Sequence, residues 1–395
     1  MTGRRLLLAA VEPSADALGA SLIRSLKKKM PGVTLTGCGG PLMAAEGFES
    51  RFDTSAFSVM GFTDVARVLP EAWRRSREIA AICEKEQIDT AIFVDGWSFS
   101  RLAAKRIRKR APATRIVKFG APQVWASRPQ RVDFVRDHFD LVLTLLPFEP
   151  SYFEEVGTKA VFVGNPNFET VAQTPRSGPS FRSRHDIGSA PLLAVLPGSR
   201  KGEVNRLLVP FADAVSGAAE KIPGLRVVIP AAPAVADLVR ENADQWPVTP
   251  LIIPAEERFD AFEAADVALA ASGTVTTELA LCDTPMVVGY RVDPLTAYWA
   301  KKVLVTEYVS ILNVFAQEAI IPERLQEECT PEQLTADIVR LFRDDEARRH
   351  QLSAFRRLLP DLVGDGHAAD RAAEEIASLA DTEDSVDLDS SAEGQ

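Results

Sequence analysis

Short apolar runs, most of them rich in leucine, isoleucine and valine, recur along the chain, and longer segments of mixed polar and apolar residues separate them. A strand buried on both faces reads as a continuous hydrophobic run, whereas a helix lying on a sheet shows an apolar stripe at its own period. The first half supplies RLLLAAV, VTLTGCG, TAIFVDG, RIVKFG, LVLTLL and AVFVG as strands; the second supplies LLAVLPG, LRVVIPA, VTPLIIP, DVALAAS and PMVVGYR. Such alternation predicts βα units around parallel sheets, an α/β chain. Residues 165–190, between the two sets, are rich in Pro, Ser, Asn and Arg and carry no sustained period, which places a domain boundary there. The pattern predicts two Rossmann-like domains, 1–165 and 166–380, facing each other across a central cleft, with closing helices in the second. From residue 381 the chain is acidic and poor in large apolar groups, the composition of a disordered tail.

Composition changes this picture mainly by exclusion. The chain has 395 residues, 46% of them hydrophobic, enough for two sizeable cores. A formal net charge of -10 disfavours non-specific nucleic-acid binding, which needs a broad basic face to displace counterions. Locally, Lys105, Arg106, Arg108, Lys109 and Arg110 crowd the end of one predicted helix. A solvated face with cations at a helix C-terminus accounts for them, and a surface attracted to anionic lipid or a phosphorylated substrate is the other reading. Cys38, Cys83, Cys282 and Cys329 stand far apart with no CxxC pair, so neither a zinc site nor a disulfide framework is expected, and a reducing cytoplasm fits. The apolar run after Arg4-Arg5 ends at Glu12, too soon for a signal peptide, and reads as the first strand. No segment approaches the roughly 20 apolar residues of a membrane span, so any membrane contact is expected to be peripheral.

Ligands of open parallel sheets collect beyond the carboxyl ends of the strands, so the strand-ending loops carry the candidate chemistry. After LLAVL, Pro197 and Gly198 turn the backbone sharply before a helix beginning near Lys201. Ser199, the Arg200 guanidinium and the N–H groups of that helix form a cradle for phosphate oxygens, against the plainer reading of a βα turn with a solvent-facing arginine. A second loop, Ser272-Gly273-Thr274, precedes a helix carrying Glu278, whose carboxylate suits ribose hydroxyls; alone, the same residues are ordinary capping sequence. Together the two loops point to a nucleotide-diphosphate site. In the first half, Glu12, Ser14 and Asp16 follow one strand and Gly39-Gly40 another. Asp95 directly follows TAIFV, placed to act as general base or simply to shape a turn. For Asp16, helix capping competes with a catalytic role.

In order and spacing, EPSAD, GCGGPLMAAEG, MGFTDV, PQVWASR, LPFEP, VGNP, LPGSRKGEV, ASGTVTTELAL, PMVVGYR and YVSILN resemble the motifs of the lipid-A-disaccharide synthase family over about residues 4–380. The resemblance implies a GT-B fold and an inverting glycosyltransferase. The implied reaction joins UDP-2,3-diacylglucosamine to the 6-hydroxyl of 2,3-diacylglucosamine 1-phosphate, giving the β-1,6-linked lipid A disaccharide and UDP. No metal and no other cofactor is implied, because positive groups and helix N-termini compensate the leaving diphosphate. Position by position, Asp95 matches the acceptor base, and Glu12, Ser14 and Asp16 match the polar set of the first loop. Ser199, Arg200 and Glu203 fall in the phosphate loop; Ser272, Gly273, Thr274 and Glu278 fall in the nucleotide loop. Arg291 and Asn313 also match, each with a structural role as the competing reading.

The chain departs from the family pattern at Val11 and Ala15, which stand where glycines are usual, and at Gly96-Trp97-Ser98-Phe99, where a second acid is lost. Lys118-Phe119-Gly120 replaces HYV, Ser127 replaces a tryptophan, Asn165 a histidine and Leu312 a proline. Most of these lie in the first half, which leaves donor use better supported than acceptor identity. A divergent paralogue, using another acceptor or only binding nucleotide sugar or lipid, is the alternative. Met60, Phe62, Val65, Val68, Leu69 and Trp73, beside Arg74, Arg75 and Arg77, form a stripe suited to an anionic membrane surface or to core packing, interrupted by Pro70. The expected setting is cytoplasmic, in peripheral contact with the inner membrane, with assembly as a homodimer left open.

Overall fold

The computed structural model describes residues 3–57, 62–243 and 246–390. The chain divides into two compact units, one of Met1–Asn167 with Leu362–Gln395, the other of Phe168–Asp361. The first holds a six-stranded sheet of β1 (Arg5–Ala10), β2 (Thr34–Cys38), β3 (Thr90–Val94), β4 (Arg115–Phe119), β5 (Leu141–Thr144) and β6 (Ala160–Phe162), ordered β2-β1-β3-β4-β5-β6. The second holds β7 (Leu192–Leu196), β8 (Arg226–Ala231), β9 (Leu251–Pro254), β10 (Val267–Ala270), β11 (Met286–Tyr290) and β12 (Glu323–Leu325), ordered β12-β11-β10-β7-β8-β9. Every strand pair is parallel. Two such sheets with helical crossovers make the α/β architecture of GT-B type.

Burial on both faces explains the apolar runs. Along β1, Leu7 and Ala9 pack into one cluster while Leu6, Leu8 and Ala10 pack into another, each nearly inaccessible to solvent. Alternate side chains of a strand point to opposite faces, so a sheet covered on both sides tolerates no polar alternation. The run after Arg4-Arg5 is the first strand, as expected. All eleven predicted strands are present; β12 was missed because Glu-Arg-Leu carries no apolar run.

The expected boundaries need two corrections. Residues 165–190, where the first unit passes to the second, contain the helices Pro166–Gln173 and Gly178–Arg184, the second capped by the Ser177 hydroxyl accepting from Ser180 N. Residues 362–380 join the first unit rather than closing the second. In the helix Ala368–Ser390, Ala372, Ala373 and Ile376 share a core with Leu18, Leu22 and Leu26 of α1 (Pro13–Lys29). Arg371 Nε donates to Val163 O at 2.9 Å and Lys29 pairs with Glu374 at 3.1 Å. The acidic stretch from 381 continues that helix to Ser390, in a segment without Gly or Pro to break it; residues 391–395 lie outside the described residues.

Candidate functional site

In the first unit the strand order reverses between β1 and β3, because β2 lies on the far side of β1. Loops leaving two such strands part in opposite directions and open a crevice at their carboxyl ends. Glu12 and Ser14 follow β1, with Ser14 in the first turn of α1, and Asp95 follows β3. The Ser14 hydroxyl approaches Asp95 Oδ2 at 3.4 Å, a long contact that nonetheless places the two side chains together. Asp95 and Gly96 are both left-handed, with φ of 47° and 54°. For a non-glycine residue this conformation costs about 1 kcal/mol or more and persists only where its surroundings impose it. Here Asp95 N donates to Phe119 O at 2.8 Å, and the Ser100 hydroxyl donates to Asp95 O at 2.9 Å. Ser100 N donates to Gly96 O at 3.0 Å, and a Cβ on Gly96 would come within 3.2 Å of Val11 Cγ2. The carboxylate is thereby held at the sheet's edge by backbone it does not itself stabilise.

Asp16 takes the capping role weighed for it in the sequence. Its carboxylate accepts from Gly40 N at 3.0 Å, Leu42 N at 2.8 Å and Met43 N at 3.0 Å, capping the short helix α2 (Pro41–Ala45) from α1. Both oxygens accept and the residue is buried, so it ties two loops together. A groove of about 750 Å³ passes between these loops, and Asp16 lines it together with Val11, Glu12, Gly40, Leu42 and Phe52.

Sequence reasoning missed two residues beneath Asp95. Lys118, in β4, is 1% exposed, and its ammonium donates to Asp95 O at 2.6 Å and to Phe93 O and Phe119 O at 3.4 Å each. Burial lowers its pKa from 10.5 to about 8, opposed by the negative charges of Asp95, Glu12 and Glu149. Glu149 is also buried, which raises its pKa to about 7 although Trp125 Nε1 donates to it at 3.0 Å and Leu145 N and Leu146 N at 3.2 Å each. The signal for Lys118 is plain in retrospect: a lysine inside the run RIVKF has only backbone carbonyls to satisfy it.

In the second unit β7 is flanked by β8 on one side and β10 on the other, so its reversal lies between β7 and β10. Both nucleotide-loop candidates leave these two strands. After β7, Gly198 takes φ 115° and Arg200 is the N-cap of the helix Lys201–Ala219. The first turn of such a helix presents N–H groups and a positive dipole end. Arg200 is 60% exposed and donates to Glu203 Oε1 at 3.2 Å. After β10, Gly273 takes φ 152° with open space where a Cβ would stand. Ser272 Oγ donates to Val309 O at 3.3 Å, and Thr274 is the N-cap of the helix Val275–Leu281. Burial raises the pKa of Glu278, and Arg258 counters that shift at 3.4 Å while stacking on Phe259 at 4.0 Å.

Asn313 and Arg291 belong to the frame of this site. Asn313 is buried; its Oδ1 accepts from Ile320 N at 3.0 Å and Ile321 N at 2.9 Å, and its Nδ2 donates to Ile321 O at 2.9 Å and Glu323 Oε1 at 3.0 Å. No capacity is left for a nucleotide, which corrects the expectation. Glu323, unremarked in the sequence, also accepts from Val309 N at 2.9 Å, Ser310 N at 2.9 Å and Ser310 Oγ at 2.6 Å. It thus fixes the segment on which Ser272 rests. Arg291 is likewise turned to protein, donating to Cys329 O.

The departures from pattern prove mild where they are described. Val11 and Ala15 are buried and neither has a positive φ, so the replaced glycines leave no strain. Asn165 Oδ1 accepts from Asn167 N at 3.1 Å at the start of the helix Pro166–Gln173. Leu312 is fully buried. Pro70 does not break the apolar stripe, which lies on one helix, α3 (Phe62–Lys85). Met60 and the side chains of Phe62 and Val65 lie outside the described residues; Val68 packs on the core, while Leu69 and Trp73 are 52% and 51% exposed. Arg106 and Arg77 stack on Trp73 at 4.6 and 5.2 Å. Of the basic run at the end of α4 (Trp97–Arg110), Arg108 pairs with Asp140 at 2.6 Å and Arg110 with Glu84 at 2.5 Å. The four cysteines are buried and unbridged.

The sequence profile of the lipid-A-disaccharide synthetase family matches residues 6–369. The chain belongs to that family. It is 38% identical over 376 residues to the lipid-A-disaccharide synthase of Paramagnetospirillum magneticum, covering 93% of this chain and 96% of the relative. Solved structures share the fold at low identity. The UDP-GlcNAc 2-epimerase of Neisseria meningitidis bound to UDP-GlcNAc superposes with a TM-score of 0.60 at 11% identity, covering 95% of this chain and all of that one. The glycosyltransferase of kitacinnamycin gives 0.58 at 18%, covering 96% and 99%. For the lipid-A-disaccharide synthetase family, then, the strand-end loops described above are the places to look for substrate contacts. Among the described residues no helix is long and apolar enough to cross a membrane.

Proposed function

We propose that the chain joins UDP-2,3-diacylglucosamine to 2,3-diacylglucosamine 1-phosphate, releasing UDP and the β-1,6-linked lipid A disaccharide. Family membership supports the reaction; one feature of the chain supports its division of labour. Each unit places its polar loops at the point where its strand order reverses, with carboxylates in the first and a guanidinium and glycine turns in the second. Asp95 takes the proton of the acceptor 6-hydroxyl as that oxygen attacks the anomeric carbon, with Ser14 orienting the carboxylate and Glu12 contributing to the acceptor side. The bond from the anomeric carbon to the diphosphate breaks with inversion. Arg200, Ser199 and the first turn of the helix Lys201–Ala219 stabilise the charge that develops on the leaving UDP. Gly273 and Thr274 let the donor approach the backbone, and Glu278, its charge held by Arg258, receives ribose hydroxyls. Glu203 orients Arg200.

The exposed Leu69 and Trp73, with Arg77 and Arg106 around the indole, support peripheral contact with an anionic membrane from which acylated substrates are drawn. Incubating the purified chain with both acylated precursors tests the reaction: UDP and disaccharide should appear in equal amounts. UDP release that does not depend on this acceptor, or no release at all, would overturn it.

A further inference from the structure

Lys118 occupies an unusual place for a lysine. It sits on an interior strand between Phe93 and Val142, and among the described residues it is the only cation of the largest fully buried side chains. An ammonium has three protons, and here three main-chain carbonyls surround it, those of Phe93, Asp95 and Phe119. These carbonyls mark the carboxyl ends of β3 and β4, where the chain turns left-handed at Asp95 and Gly96. Three carboxylates face the ammonium: Asp95 on its own turn, Glu12 beyond β1 and Glu149 beyond β5. Where the family pattern has the histidine of HYV, this chain has a buried lysine.

Resting on the transfer reaction proposed above, we propose that Lys118 is the positioning residue for Asp95: its ammonium ties the left-handed turn to the sheet beside the clustered carboxylates, so that Asp95 is held correctly aimed. Replacing the side chain takes one donor from each of three strand-end carbonyls, although Asp95 O keeps the Ser100 hydroxyl and Phe119 O keeps Asp95 N, and leaves three carboxylates without their shared cation. Lys118 itself touches no substrate. Its proton is lost as pH rises through about 8, so the turn loosens and activity declines on the alkaline side. Stability runs the other way. A lysine whose folded pKa lies below its unfolded value of 10.5 burdens the fold while charged, so between pH 8 and 10.5 its contribution to stability increases. Alkaline loss of rate without loss of folded protein is the signature.

The test compares wild type, Lys118→Met and Lys118→Arg by hydrogen exchange and by pH–rate profile. In Lys118→Met, amides of residues 93–100 should exchange about tenfold faster or more, with the second unit unchanged, and kcat should fall about 10- to 100-fold with donor KM within about twofold. Lys118→Arg should recover most of the protection, and its rate should no longer decline near pH 8. Unchanged exchange over residues 93–100 in folded Lys118→Met, or an alkaline decline that persists in Lys118→Arg, would overturn the assignment. Should the wild type transfer no sugar, the proposed reaction fails, and the exchange comparison still decides the role of Lys118.

Discussion

The two units use one topological device for opposite electrostatic ends. Each sheet reverses its order beside its first strand, and each collects its polar residues there. In the first unit the site is negative and rigid: Asp95 is fixed by a left-handed turn, and the nearest cation is buried below it. In the second, the cation is on the surface and the loops are open: Arg200 is mostly exposed, and Gly273 has empty space beside it. On the proposed roles, a base must be aimed before substrate arrives, whereas a diphosphate brings charge enough to order a guanidinium on binding. The proposal therefore puts rigidity on the acceptor side and accessibility on the donor side.

Arg200→Ala sharpens the contrast most strongly after Asp95 itself. Loss of a donor to the leaving diphosphate should lower kcat/KM about 10²- to 10³-fold in steady-state kinetics, with thermal stability unchanged because the guanidinium supports little of the fold. An equal loss on any UDP-independent measure would place Arg200 in the fold instead. Asn313→Ala should do the reverse. It strips donors and acceptors from Ile320, Ile321 and Glu323, and should destabilise the second unit by about 2–3 kcal/mol in denaturant unfolding. Asp16→Ala removes the cap of α2 and should cost about 1–2 kcal/mol, with the remaining turnover showing an unshifted pH profile; a shifted profile would return Asp16 to the proton-transfer set. Trp73→Ser should have the smallest effect, a few-fold weaker partition onto anionic vesicles with turnover on dispersed substrate retained.

Much of this was legible in the sequence because buried parallel strands leave unbroken apolar runs and their ends are marked by small residues. The loops after β1, β3, β7 and β10 were found in that way. What could not be read was which polar residues face inward to serve the fold. Asp16 carries the same carboxylate as Asp95, and Asn313 is as polar as Ser14; only the N–H groups each side chain meets in the folded chain separate tie from tool. Glu323 escaped notice because its partners come from a loop it meets only when β12 docks on β11. The departure of residues 362–380 from the second unit was hidden for a related reason: Ala372, Ala373 and Ile376 announce a buried helix face but not which core receives it.

The most direct measurement is a comparison of Asp95→Asn with wild type for both UDP binding and sugar transfer. The account predicts UDP affinity within about twofold and turnover lowered about 10²- to 10⁴-fold, since only proton removal from the acceptor is lost. Transfer at the wild-type rate by Asp95→Asn would contradict it.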